Sequence, residues 1–218
     1  MENQRYRGDT GEAKVGEAER FWEERYKSST RPPDGRPSWA LVRFAESLPG
    51  GRALDLGCAR GDDAVWLARR GWRVVAVDIS ATALSRAAEN AQTAGVSDHI
   101  EFQRHDLART FPGGRFDLVS AQYLQSPVEF PREQVLREAA SAVASDGLLL
   151  IVSHGSAPPW ADPDAAFPTP EEELAGLQLD PELWQSEFVG VPERQATGPA
   201  GETTTVIDNV IALRRTTR

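Results

Sequence analysis

Asp55, Asp62 and Asp63 bracket a turn of mostly small residues, Gly57-Cys58-Ala59-Arg60-Gly61. An apolar run, 52–57, leads into the turn, and a helical pattern, 62–70, leads out of it. Small residues let a backbone approach a ligand closely. The turn after a strand of an open α/β sheet is where such sheets bind ligands. The plainer alternative is a tight turn that Gly57 and Gly61 make for its own sake. A dinucleotide site asks for G-x-G-x-x-G and rests a pyrophosphate on the helix N-terminus. Here the glycine spacing differs, and two carboxylates open the helix, where they repel phosphate. A cation without phosphates fits better.

Asp78 closes the β-branched run 72–78, 17 residues after Gly61. A carboxylate at that strand tip can accept hydrogen bonds from both hydroxyls of a ribose; otherwise it caps the next helix, a task Ser80 already suits. A ribose and a cation together describe S-adenosylmethionine (SAM), which carries a sulfonium and an ammonium. His105-Asp106-Leu107 follows the third strand, where an acid can accept from an adenine amino group or simply sit solvated in a loop. Ala121-Gln122-Tyr123 ends the fourth strand, with Gln122 and Tyr123 expected beside a transferred group, or as a loop amide and a packing ring. His154 follows the fifth strand and is the candidate general base, against an exposed loop histidine. Cys58 has carboxylates around it, which raise rather than lower a thiol pKa, so it reads as packing.

These residues need a scaffold, and the pattern supplies one. Strands at 52–57, 72–78, 99–104, 115–121 and 147–153 alternate with helices at 62–70, 80–94 and 132–144. Such alternation means βαβ units and a parallel sheet. Helices at 17–27 and 39–48 precede it. Residues 154–181 hold six prolines, an irregular excursion with a short helix at 171–177. Two strand-like stretches, 184–191 and 203–213, flank a Gly/Pro turn at 198–201 and should pair antiparallel. The expected fold is α/β: a doubly wound, mostly parallel, Rossmann-like sheet of seven strands ending in an antiparallel hairpin. Residues 1–37 are expected as an N-terminal helix and loop, and 38–218 as one SAM-binding domain. Trp22 and Tyr26 share a helix face. That face either packs on the sheet or covers SAM as a lid.

The chain has 218 residues and a net charge of −9. Nucleic-acid binders neutralise phosphates with basic faces, so no nucleic-acid partner is expected; a small molecule is. No apolar run approaches a bilayer span of roughly 20 residues, no secretory signal opens the chain, and the single cysteine allows no internal disulfide. A cytoplasmic protein without a membrane partner is expected. No Cys/His cluster suggests a metal. Composition leaves the oligomeric state open.

LDLGCARGDDAVWLA, VVAVDIS, HDL and FDLVSAQYLQ, in this order and spacing, resemble the class I SAM-dependent methyltransferases over residues 20–155. FWEERY and GWRVVAVDIS look like the small bacterial branch related to tellurite-resistance and thiopurine methyltransferases. The resemblance implies Asp55, Gly57 and Gly61 around the methionine part of SAM, Asp78 on the ribose and Asp106 by the adenine, with Cys58, Ala59, Asp62, Ile79, Leu107 and Ala121 as neighbours. It departs at Ala59, where the family usually has glycine, which costs strain if the position is left-handed. There is no Asn-Pro-Pro-aromatic motif after the fourth strand, which argues against an amide or base acceptor. The expected function is methyl transfer to a small molecule by in-line displacement. Two alternatives stand beside it: a SAM-binding protein without transferase activity, and an NAD(P)-dependent oxidoreductase.

Overall fold

The computed structural model describes residues 16–29, 35–159, 167–198 and 200–216. The expected loop between the first two helices and the Pro-rich excursion lie partly outside these residues, as do positions 1–15. The helices are α1 (Glu17–Ser28), α2 (Trp39–Ala45), α3 (Asp62–Arg69), α4 (Ala81–Thr93), α5 (Arg132–Ala142) and α6 (Pro170–Gly176). The strands are β1 (Arg52–Leu56), β2 (Arg73–Asp78), β3 (Ile100–Arg104), β4 (Phe116–Gln122), β5 (Val143–His154), β6 (Trp184–Gly190), β7 (Glu193–Thr197) and β8 (Thr203–Arg215).

The sheet runs β3-β2-β1-β4-β5-β8-β6, with β7 attached to β8 alone on that side. The first five strands pair in parallel. Only β8 runs against its neighbours β5, β6 and β7. The order doubles back at β1, so the loops after β1 and β4 leave opposite faces and open a crevice at the carboxyl edge. Side chains alternate between two apolar layers, as the strand period dictates. Ala53, Val74, Ala76 and Leu118 meet Leu41, Leu67 and Ala68 of α2 and α3 on one side, while Leu54, Leu56, Val75 and Val119 share a layer with Val135, Leu136 and Ala139 of α5 on the other.

Three expectations change. The closing hairpin is not formed by 184–191 and 203–213 alone. An additional strand, β7, joins the first half of β8 (Glu193↔Ile207 to Thr197↔Thr203), while β6 pairs its second half. The long β8 thus serves two ladders: the seven expected strands form the path of the sheet, and β7 is an eighth strand off that path. β5 starts at Val143, directly after α5, because a bulge lets Phe116 oppose Val143 before the register resumes at Leu118↔Leu148. His99 closes a 3-10 turn, Ser97–His99, instead of opening a strand. Ser80 caps α4 as expected, accepting from the Ala83 amide.

Candidate functional site

The carboxyl edge carries two cavities that share Gly57 and Tyr123. The first, of about 310 Å³, lies under Trp22 and Tyr26 of α1, with Asp78, Ile79, Asp106 and Leu107 from the ends of β2 and β3. The second, of about 640 Å³, holds Asp55, Cys58, Ala59, Asp62 and Gln122, together with Arg36, Ser38, Arg60 and Asp63.

The turn between them is held in an uncommon backbone shape. Gly57 (φ 71°), Ala59 (φ 50°) and Gly61 (φ 77°) are all left-handed. A Cβ on Gly57 would stand 2.9 Å from Leu124 Cδ1, so only glycine keeps the junction open. Ala59 takes the left-handed strain that its type makes costly, about 1–2 kcal/mol. Its amide donates to Asp78 Oδ2 at 3.1 Å, while the Ser80 amide donates to Oδ1 at 2.9 Å. Asp78 therefore braces the chain locally and lines the first cavity, while the capping is left to Ser80. Burial pushes its carboxyl up to about 6, against the pull of those amides.

Asp55 is buried in β1, and its Oδ2 has no partner among the described residues. Burial, then Asp63 and Asp78, raise its pKa well above the usual carboxylate range. A buried acid with an unpaired oxygen beside a cavity is a place for a cation. Asp63 is likewise raised, to about 6, chiefly by burial. Asp62 and Asp63 have a second task that their charge alone did not reveal. Asp62 Oδ1 accepts from the Gly35 amide at 3.0 Å and Asp63 Oδ1 from the Ser38 amide at 2.6 Å, so they hold the segment entering α2 against the start of α3. Ser38 Oγ donates to Gln122 Oε1 at 2.7 Å, and Gln122 Nε2 to Ser120 Oγ at 2.9 Å, which fixes that amide.

Trp22 and Tyr26 line the first cavity from a helix without a buried residue. Polar contacts hold it there. Glu23 accepts from Ser80 Oγ (2.7 Å) and Thr82 Oγ1 (2.6 Å), and Arg86 Nη1 donates to the Tyr26 and Ser29 carbonyls. Glu19 pairs with Arg104. The hydrogen bonds from Thr82 and Ser80 lower Glu23 to about 2. Asp106 Oδ1 accepts from the Ala108 amide at 3.1 Å, a local turn that leaves it on the cavity wall.

Three expected site residues are placed elsewhere. Gly61 lines neither cavity; a Cβ there would stand 3.0 Å from Ala87 Cβ, so its smallness serves the packing of α3 on α4. Ala121 is fully buried in the sheet, in the layer that faces α5. His154 is not at either cavity wall. Its ring stacks on Tyr123, 4.6 Å between centroids, and burial lowers its pKa. Cys58 is buried, and burial followed by Asp55 and Asp78 raises its thiol, as a packing residue requires. Among the described residues no group of three or more His, Cys, Asp or Glu could hold a metal ion, and no helix is long and apolar enough to cross a membrane.

Glu23, Ser38, Arg60, Arg194 and Asp208 complete the surroundings and were not singled out as site residues from the sequence. Asp208 carried the one usable signal, an acid inside the apolar run of β8.

The residues present fit SAM. The first cavity offers aromatic rings and a strand-tip carboxylate for an adenosine; the second offers buried acid for an ammonium; the glycine junction lies between. Residues 53–147 match the family described as "Methyltransferase domain". "Probable thiol methyltransferase 2" of Arabidopsis thaliana is 35% identical over 101 residues, which is 45% of this chain and 45% of that protein. The chain thus matches less than half the length of that relative. A structure described under "Conversion of a Disulfide Bond into a Thioacetal Group during Echinomycin Biosynthesis" is 27% identical, with a TM-score of 0.71 over 90% of this chain and 92% of the other. TehB from Haemophilus influenzae superimposes with a TM-score of 0.65 at 16% identity, covering 92% and 67%; at that identity the likeness concerns the fold. The sheet order and the glycine turn of this chain accord with the methyltransferase domain matched over residues 53–147.

Proposed function

We propose that the chain transfers a methyl group from SAM to a small-molecule acceptor, with the adenosine in the first cavity and the methionine and acceptor toward the second. The observation that carries this is the pair of cavities meeting at Gly57 and Tyr123, one walled by aromatic rings and the other by buried carboxylates. SAM, when bound, supplies a methyl on a sulfonium, and its transfer leaves the neutral thioether S-adenosylhomocysteine.

The protein's contribution is mainly to position the two partners, an effect that reaches roughly 7–11 kcal/mol in the best intramolecular models. Asp78 accepts from the ribose hydroxyls, Asp106 from the adenine amino group, and Trp22 and Tyr26 cover the adenosine. Asp55 and Asp63 balance the ammonium. Tyr123 stands where the methyl passes, together with Gln122. A general base is needed only when the acceptor carries a proton at neutral pH. The Tyr123 hydroxyl is committed to Asp208 at 2.7 Å, and His154 sits behind the ring, so neither is poised to take a proton. This favours an acceptor that is already a soft anion, such as a thiolate. The sulfur chemistry named for the Arabidopsis relative and for the echinomycin structure supports the same choice. α1 acts as the lid, with residues 38–218 as the domain it covers. The single buried cysteine suits a reducing cytoplasm.

The test is turnover on a panel of thiols, phenols, amines and an RNA, read as S-adenosylhomocysteine release. Release with thiols ahead of the rest supports the reading. Release with RNA alone overturns the small-molecule acceptor, and SAM binding without release on any acceptor points to a protein that holds SAM without transferring the methyl.

A further inference from the structure

β8 carries a charge where its apolar pattern has no place for one. Asp208 is fully buried, between Val206 and the run Val210–Leu213. Its Oδ2 accepts from three donors far apart in the chain: Trp39 Nε1 of α2 at 3.0 Å, the Tyr123 hydroxyl past β4 at 2.7 Å, and Arg194 Nε of β7 at 2.6 Å. Its Oδ1 is buried with no partner among the described residues. Arg194 Nε also donates to the Tyr123 hydroxyl at 3.1 Å, and its guanidinium lies 5.5 Å from the centre of that ring. His154, opposite Asp208 in the β5–β8 ladder, stacks on the same ring, 4.6 Å between centroids.

The residue at the centre of these contacts is strained. Tyr123 has φ 52°, a left-handed backbone rare for a bulky side chain. Such a conformation persists only where its surroundings over-determine it, and it clusters at functional sites. A buried ion pair is also a poor way to gain stability, since apolar residues of similar volume do as well or better. A carboxylate held in the core of β8 therefore calls for another purpose, and with Arg194 it grips the hydroxyl of the one ring that both cavities share.

We infer that Asp208 is a positioning residue: with Arg194 of the β7–β8 hairpin it fixes the Tyr123 ring at the junction of the two cavities and so sets how an acceptor meets the methyl group. This use of the network rests on the methyl-transfer reading; the network itself does not. Both Asp208 and Arg194 lie outside the matched domain at 53–147, so the alignment of the acceptor is controlled from a part of the chain separate from the glycine turn.

The experiment is a double-mutant cycle on S-adenosylhomocysteine affinity, measured by calorimetry for Asp208→Asn, Tyr123→Phe and the pair. Each single change is expected to weaken binding about fivefold, and the pair no more than either alone. Additive losses, or unchanged affinity in both singles, overturn the proposal. Arg194→Ala, at the partly exposed edge of the network, covers the case in which Asp208→Asn fails to fold: a loss of about twofold to threefold, partly restored by Arg194→Lys, supports the proposal, and no loss contradicts it. A second readout needs no ligand. Tyrosine absorbance is followed to alkaline pH, with Tyr123→Phe assigning the signal. Removing the Asp208 charge should move Tyr123 ionisation to lower pH, and removing Arg194 to higher; no movement in either variant overturns the network. If the wild-type protein binds no S-adenosylhomocysteine, the methyl-transfer reading fails, while the tyrosine titration still decides the link.

Discussion

The two cavities are built by opposite means. The first is roofed by Trp22 and Tyr26 and touches only a few charged side chains, Asp78 the most deeply set of them. The second is larger and dominated by charge, with Asp55, Asp62 and Asp63 facing Arg36 and Arg60. On the proposed reading the first holds its occupant by shape, stacking and hydrogen bonds and the second chiefly by charge, while each contains one acid raised to about 6, Asp78 and Asp63. A ligand spanning both should therefore feel the protonation of an acid in each half.

The largest effect is expected at Asp78. Hydrogen bonds to a charged group contribute about 1.5–3 kcal/mol each, so Asp78→Ala should weaken SAM binding at least tenfold by calorimetry. It should also lower the melting temperature, because the Ala59 and Ser80 amides lose their acceptor. Unchanged affinity would mean that the first cavity does not hold the ribose.

Next comes pH. Asp63 and Asp78 are each raised to about 6, mainly by burial. A cation prefers the ionised acids, so SAM affinity should climb as pH rises from 5 to 7 and then level off. The ligand-free protein should do the reverse. An acid whose pKa is higher folded than unfolded binds more protons when folded, so its stabilising effect is present at low pH and is lost as pH rises through about 4 to 6. The loss is roughly 1.4 kcal/mol per pKa unit. Glu23 opposes this at the acid end: lowered to about 2, it favours the folded, docked state above about pH 4.5 and loses that effect as pH falls toward 2. Thermal scans from pH 3 to 8 should find the ligand-free maximum at about pH 4 to 4.5, and SAM should move it toward neutrality. A ligand-free maximum at pH 8 would contradict the raised acids.

A smaller effect tests the roof. Glu23→Gln weakens the hold on Ser80 and Thr82. If α1 is a lid, SAM affinity should fall about threefold to fivefold with little change in melting temperature. A drop in melting temperature with full affinity would make α1 a packing helix instead.

The smallest concerns Ala59. Glycine relieves its left-handed strain, about 1–2 kcal/mol, against about 0.4–1 kcal/mol of extra freedom in the unfolded chain. Ala59→Gly should raise stability by about 0.5 kcal/mol in urea unfolding and leave affinity equal or better. A clear loss of stability would show that the turn does not take this shape.

The comparison also explains what the sequence could reveal. The placement of the glycine turn, Asp78 and Asp106 at the cavity edge was legible because each follows its strand directly, where local backbone geometry is specified by a run of residues. The parallel core and the Ser80 cap were legible for the same reason. Gly61 was misplaced because a glycine for helix packing and one for ligand approach look alike in a motif. His154 was misplaced because nothing near it in the chain shows that the Tyr123 ring stands in front. β7 was missed because Glu193–Thr197 alternates exposure without an apolar face. The Asp208 network joins residues 14, 85 and 169 positions apart; no local pattern carries such a set. Asp62 and Asp63 show the mixed case: their charge was evident, but their grip on Gly35 and Ser38 was not.

Calorimetry with SAM and with NAD on the intact chain tests the central claim most directly, that one cation without a pyrophosphate spans both cavities. SAM and S-adenosylhomocysteine should each bind at one site per chain, and NAD should give no saturable heat. Saturable binding of NAD with none of SAM would contradict the account.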